Sequence, residues 1–179
     1  MRAIAAAAAA ALLLVGCSTA AKSDGESSAA PAPSSATTTS ANLDAPGAPG
    51  QEMEFSGPGT RVRVTMHSVS QAVAGNAPAP QSGGRWAGAD VETCVDSADG
   101  AFAVAWREWS LSDANNGNFA ASSTTYASFP KPAFPLAGES VAVGDCTRGW
   151  IVFPVGTDVR VTKVKWKPNA KITAVWNAN

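Results

Sequence analysis

The chain has 179 residues, with 13 Lys and Arg against 14 Asp and Glu and a net charge of −1. Charges this nearly balanced leave no basic field to recruit nucleic acid, which excludes that class of partner. All six Trp, all six Phe and the single Tyr fall after residue 50, so the one core that a chain of this length supports must be built there.

Met1-Arg2 leads into an apolar run from Ala3 to Val15, shorter than the ~20 residues of a membrane-spanning helix. It reads as the core of a signal peptide covering residues 1–16. Leu14-Val15-Gly16-Cys17 resembles the bacterial lipobox, in which the cysteine thiol accepts a diacylglyceryl group and the peptide is cut before it. The new N-terminus is then often acylated, commonly with palmitate. Two or three acyl chains anchor stably where one is marginal, so Cys17 is the expected lipidation site and the membrane its expected partner. The expected location is the cell membrane, facing the extracellular or periplasmic side. Residues 18–50 are almost entirely Ser, Ala, Thr, Pro and Gly. They bury too little apolar surface to offset ordering, so 17–50 is expected to be a disordered tether with a mean span on the order of 30 Å. Signal removal takes Arg2 and no acid, which brings the net charge near −2.

With Cys17 assigned to lipid, Cys94 and Cys146 remain as an even pair in an exported, oxidising setting, where a disulfide is the default. Closing a loop of that length is worth roughly 4 kcal/mol in the chain-entropy picture. A thiolate metal cage is the competing reading, but there is no C-x-x-C and His67 is the single histidine. Spacing leaves open whether such a bridge joins two sheets or lies within one.

From residue 51 to 179 the pattern is short strands punctuated by Gly, Pro and Asn, with no useful helical period. Thr60–Val69 alternates, with Val62, Val64 and Met66 on one face and Arg61, Arg63, Thr65 and His67 on the other. Trp86–Val95 and Ala101–Leu111 follow, joined by a turn at Asp96–Gly100. Phe102, Val104 and Trp106 share a face of the second. Leu111–Phe119 reads as a turn before a weaker strand near Ser123–Ser128. The three prolines of Phe129–Pro135 make that segment an extended crossover, since proline cannot sit inside a sheet. Ser140–Val143, Gly149–Val155, Asp158–Trp166 and Lys171–Trp176 supply the last strands, and the buried face near the end of Asp158–Trp166 is ambiguous. About eight such strands argue for an all-β, antiparallel two-sheet sandwich, with a barrel as runner-up.

Trp109-Ser110-Leu111-Ser112-Asp113, then Leu136-Ala137-Gly138-Glu139-Ser140, then Gly149-Trp150-Ile151-Val152-Phe153-Pro154 resemble a bacterial family of immunoglobulin-like domains of unknown function. That family is similar to the secreted immunogenic antigen of mycobacteria, and its members are often lipoproteins. Ala137 stands where the family tends to have proline. The resemblance implies an immunoglobulin-like sandwich and brings no catalytic residues.

Chemistry-bearing residues are sparse. His67 sits on the polar face of its strand, and no G-x-S-x-G elbow occurs. Asp90, Glu92 and Glu108 are the candidates for paired-carboxylate hydrolysis, residues two apart on a strand facing the same way. Asp113–Asn118 resembles a calcium loop faintly, but turn chemistry explains it better. Met66 and His67 with Met53 offer soft donors for Cu(I), although adjacent strand residues face opposite ways. Trp86, Trp109, Trp150 and Trp166 cannot all be placed inside, and an exposed pair among Trp86, Trp109 and Trp150 would form a binding platform. The reading is therefore a lipoprotein presenting a non-catalytic domain to a protein or envelope component, needing no cofactor and no metal. An envelope hydrolase or a metal-handling lipoprotein is the alternative. Replacing Cys17 by Ser is expected to move the protein from the membrane fraction to the soluble fraction, as read by fractionation and immunoblot.

Overall fold

A computed structural model describes residues 45–80 and 83–179. The signal peptide, Cys17 and most of the tether lie outside the described residues. In chain order the strands are β1 (Glu52–Gly57), β2 (Thr60–Val73), β3 (Gly84–Ala98), β4 (Phe102–Val104), β5 (Trp109–Asp113), β6 (Asn118–Ala120), β7 (Glu139–Val141), β8 (Cys146–Gly156), β9 (Val161–Trp166) and β10 (Ala174–Asn177). They form two four-stranded sheets, ordered β1-β2-β3-β8 and β10-β9-β5-β6, and a small β4-β7 pair. Every pairing between these strands is antiparallel.

Alternation along the chain decides which residues meet between the sheets. Val62, Val64 and Met66 of β2 turn inward at 3 % exposure or less, as the period-two pattern requires. On β3 and β8, Val91, Ile151 and Phe153 face in, fully buried. From the second sheet Trp109, Leu111, Val164, Trp166 and Trp176 close against them. The Trp109 ring stacks on Trp176 with centroids 5.9 Å apart, and Phe55 packs on Trp166 at 4.9 Å.

The chain crosses between the sheets in the immunoglobulin manner. The order β10-β9-β5-β6 reproduces G-F-C-C′ of a variable-type domain, and β2-β3-β8 reproduces A-B-E, with β1 as an added strand. Cys94 pairs directly with Cys146 across β3 and β8, at a Cα separation of 4.0 Å, and the two form a disulfide. The bridge therefore lies within one sheet, unlike the inter-sheet bridge of antibody domains.

Several sequence expectations change. The strand expected over Ala101–Leu111 is two strands, β4 and β5, separated by a 3-10 turn at Trp106–Glu108. Tertiary partners cause the break: Trp106 donates its backbone N–H to Pro135 O at 3.1 Å and its indole N–H to Phe134 O at 2.6 Å. The chain is thereby pulled from the β4-β7 pair into the second sheet. The strand expected near Ser123–Ser128 is absent, and β6 forms earlier, at Asn118–Ala120. Glu52–Gly57, read only as the start of the domain, is a strand whose Met53 and Phe55 are buried. Order also reaches into the expected tether. Gly47 donates to Val175 O and accepts from Asn177 N, both at 2.8 Å. The ambiguity near the end of β9 is resolved by a register shift opposite Ser112 and Asp113, which lets both Val161 and Val164 turn inward.

The prolines of Phe129–Pro135 do run extended, laid along the free edge of β8. Trp150 donates to Pro132 O at 2.9 Å, and Phe134 donates to Trp150 O at 3.0 Å. Gly149 makes this approach possible, because a Cβ there would lie 2.3 Å from Phe134 N and 2.5 Å from Ala133 C. Gly149→Ala is expected to push this segment off the edge and destabilise the domain by about 1–3 kcal/mol, read as a lower denaturation midpoint with the disulfide intact.

Candidate functional site

The outward face of β1, β2, β3 and β8 gathers most of the chemistry that the sequence carries. Strand alternation and register place Glu52 and Glu54 of β1 beside Arg61 and Arg63 of β2, then Asp90, Glu92, Cys94 and Asp96 of β3, then Cys146, Arg148 and Trp150 of β8. Acids on β1 and β3 thus flank the bases of β2, an arrangement that favours cross-strand pairing. Arg63 donates to both oxygens of Asp96, at 2.8 and 3.1 Å from Nε, and to Glu52 at 2.8 Å. Those bonds hold the Asp96 carboxyl below the usual carboxylate range and raise the Arg63 guanidinium further. Arg61 meets Glu54 at 3.2 Å.

Nearer the middle of the face, Arg148 forks onto Asp90, with Nη2 to Oδ2 at 2.7 Å and Nε to Oδ1 at 3.2 Å. The bond to Asp90 also raises the Arg148 guanidinium. Asp90 is 9 % exposed, and a carboxylate that enclosed needs such a partner. His67 lies at a β2 bulge between the pairs Met66↔Val91 and Ser68↔Asp90, and its Nε2 reaches Glu92 Oε2 at 2.7 Å. The other Glu92 oxygen lies 3.8 Å from Cys94 Sγ. Trp150, opposite Asp90, lays its ring across Gly88, where a Cβ would come within 3.1 Å of the indole. That ring is half-buried.

The tryptophan platform expected of Trp86, Trp109 and Trp150 is not assembled. Trp109 is 1 % exposed, packed between the sheets. Trp86, at 6 % exposure, lies on the outward side of β3 but is roofed by Tyr126 and Phe129, with ring centroids 6.0 and 5.1 Å away, and its indole donates to Pro78 O. Trp166 is likewise enclosed, which leaves Trp150 as the one of the four with an accessible face. Met66 and Met53 are buried at 1 % exposure or less while His67 turns outward, so a copper site of Met53, Met66 and His67 does not form.

Among the carboxylates, Asp90 and Glu92 share the outer face but Glu108 does not join them. It sits in the 3-10 turn before β5, where its carbonyl accepts from Lys167 N at 2.7 Å. Surface clefts of about 260–530 Å³ occur among the described residues, and none of these is lined by Asp90, Glu92 or Glu108. The Asp113 carboxylate is occupied by its own turn, accepting from Asn115 N and Gly117 N at 2.9 and 2.7 Å, as an Asx turn requires. Sequence reasoning missed Arg148 and Gly88 as parts of the site. Gly88 lies at regular alternation with Asp90 and Glu92 on β3, whereas Arg148 stands opposite Glu92 on β8, a relation that only the β3–β8 register reveals.

The fold and this face define an antiparallel β-sandwich with an ion-paired sheet surface. No protein-family model and no curated protein matches the chain. Among solved structures it is similar to MPT63, a secreted protein of Mycobacterium tuberculosis, with 18 % identity, a TM-score of 0.55, and 74 % of this chain and 96 % of that one covered. It is also similar to ycdA, a proposed lipoprotein of Bacillus subtilis, with 12 % identity, a TM-score of 0.48, and 72 % of this chain and 39 % of that one covered. The yjhA protein of Bacillus subtilis likewise has 12 % identity and a TM-score of 0.48, over 74 % of this chain and 99 % of that one. The likeness to MPT63 is one of fold.

Burial raises the Glu108 carboxyl above its usual range, against the opposing influence of the Trp166 indole and Arg107. Its Oε2 and the Trp166 indole nitrogen both lack a hydrogen-bond partner. A raised carboxyl binds its proton more tightly folded than unfolded, so its contribution is complete below about pH 4 and is lost as pH rises through the folded value. Glu108→Gln is expected to raise the melting temperature at pH 7 and to leave it nearly unchanged at pH 4.

Proposed function

We propose that this chain is an envelope lipoprotein, anchored to the cell membrane through acylated Cys17, that presents its sandwich for non-catalytic binding of a protein or envelope component. The observation that carries the binding reading is the outer face of β1, β2, β3 and β8. It is a sheet face whose acids are committed to Arg61, Arg63, His67 and Arg148, with the half-buried Trp150 on its edge strand β8. Acids tied in this way are poor general acids or bases, because acid–base catalysis needs a group free to exchange its proton with substrate. A rigid aromatic ring with an accessible face beside charged side chains is what a protein or glycan interface uses as an anchor. The extracytoplasmic setting is supported by the Cys94–Cys146 disulfide, by the lipobox-like Leu14-Val15-Gly16-Cys17, and by a fold shared with a secreted mycobacterial protein.

The reading is tested by crosslinking on intact cells that produce the lipidated protein, followed by affinity capture and mass spectrometry, alongside binding of the soluble domain to isolated cell wall. A tether-only version and a Trp150→Ala variant serve as comparisons. A partner or wall fraction retained only when residues 51–179 are present, and retained about tenfold less by Trp150→Ala, is expected. Equal retention by the tether alone, or no retention by either route, would remove the binding reading.

A further inference from the structure

The outer face contains a donor set that the disulfide conceals. The Sγ atoms of Cys94 and Cys146 and a carboxylate oxygen of Glu92 all lie within 4.8 Å of one another. His67 Nε2 touches the second oxygen of that carboxylate at 2.7 Å. Three adjacent strands supply these groups. Glu92 and Cys94 are two apart on one face of β3, Cys146 is the direct cross-strand partner of Cys94 on β8, and His67 comes from the β2 bulge. Cys146 is exposed and Cys94 is 7 % exposed, so a reductant reaches the bridge from the Cys146 side.

We propose that the reduced form of this protein binds one zinc ion through Cys94, Cys146 and Glu92, a site that oxidation to the disulfide closes. Opening it is a two-electron exchange. A dithiol reductant attacks the bridge, its two sulfurs become a disulfide, and Cys94 and Cys146 each take up one proton. Zinc then binds the two sulfurs as thiolates and releases both protons to solvent.

Two thiolates and one carboxylate, with solvent in the fourth position, form a tetrahedral donor set of the kind zinc takes, with bonds of about 2.0–2.3 Å. Such bonds put neighbouring donors about 3.3–3.8 Å apart. Glu92 Oε1 already stands 3.8 Å from Cys94 Sγ. Charge selects a cation over free reactive thiolates. Two thiolates beside Glu92 repel one another, and the nearby positive charges are those of Arg148, engaged by Asp90, and of Arg63, the cross-strand neighbour of Cys94, engaged by Glu52 and Asp96. A divalent ion neutralises most of that excess. His67 acts as a positioning residue outside the coordination sphere, holding the Glu92 carboxylate through its 2.7 Å contact.

The test uses the full domain, reduced with a phosphine that does not itself compete as a thiol, then mixed with zinc or with Co²⁺ as a spectroscopic stand-in. Expected are one zinc per reduced chain, none on the oxidised chain, and a thiolate-to-cobalt charge-transfer band with tetrahedral visible absorption. Glu92→Gln and His67→Ala are each expected to weaken zinc by at least about tenfold. The proposal is overturned if reduced wild type holds no more zinc than the Cys94→Ser, Cys146→Ser double variant, or if Glu92→Gln and His67→Ala bind as tightly as wild type. Should reduction alone unfold the chain, zinc is expected to restore the near-ultraviolet signal of the buried tryptophans, and failure to restore it overturns the proposal equally.

Discussion

The ladder between β3 and β8 is the constraint on which the rest of the domain depends. It runs from Gly84↔Gly156 to Cys94↔Cys146 without a shift, so the period-two alternation of one strand is locked in phase with that of the other. Inward, Val91 and Ala89 stand opposite Gly149 and Ile151. Outward, Glu92 and Asp90 stand opposite Arg148 and Trp150. A slip of one residue would exchange the two faces and bury the charges. The disulfide at one end makes that slip impossible without bond breakage, which is why the core and the candidate site are specified by the same pairing.

Packing against this ladder is asymmetric. On the inner side the second sheet supplies Trp109, Trp166 and Trp176. On the outer side, the segment from Ser122 to Phe129 folds back over the upper part of β3 and β8, where Trp86, Tyr126 and Phe129 pack together as an extension of the same core. The lower part of the same face stays open, because Gly88 lets Trp150 lie flat and the residues beyond it are charged. One sheet therefore presents an apolar roofed half and a polar uncovered half, and the boundary between them falls at Trp150.

Much of this was legible in the residues. Alternation in Thr60–Val69 assigned its inner and outer faces correctly, turn residues marked most of the strand ends, and the two cysteines of the aromatic-rich part of the chain pointed to the bridge that forms. Glu52-Met53-Glu54-Phe55 carried the same alternating signal in too few residues to stand out. What failed, failed for identifiable reasons. Trp106 continues the pattern of Phe102 and Val104, but the carbonyls of Phe134 and Pro135, nearly thirty residues away, capture it and end the strand. Trp86 has the alternation of an outward residue and is buried all the same, because a distant segment covers it. Arg148 was invisible as a partner of Asp90, since nothing local relates residues on two strands that the chain joins only after a long excursion through the other sheet.

The sequence by itself determined the class of fold, because period-two patterning and turn chemistry act within a few residues and need no knowledge of partners. It also set Cys94 and Cys146 in the one part of the chain that carries the aromatic residues of the core. Only the tertiary structure decided that the bridge lies within one sheet, that Asp90 and Glu92 are taken up by Arg148 and His67, and that Trp150 rather than Trp86 or Trp109 keeps an accessible face. Those outcomes depend on strand register and on which distant segment covers which surface, and both are settled by long-range packing that no local pattern encodes.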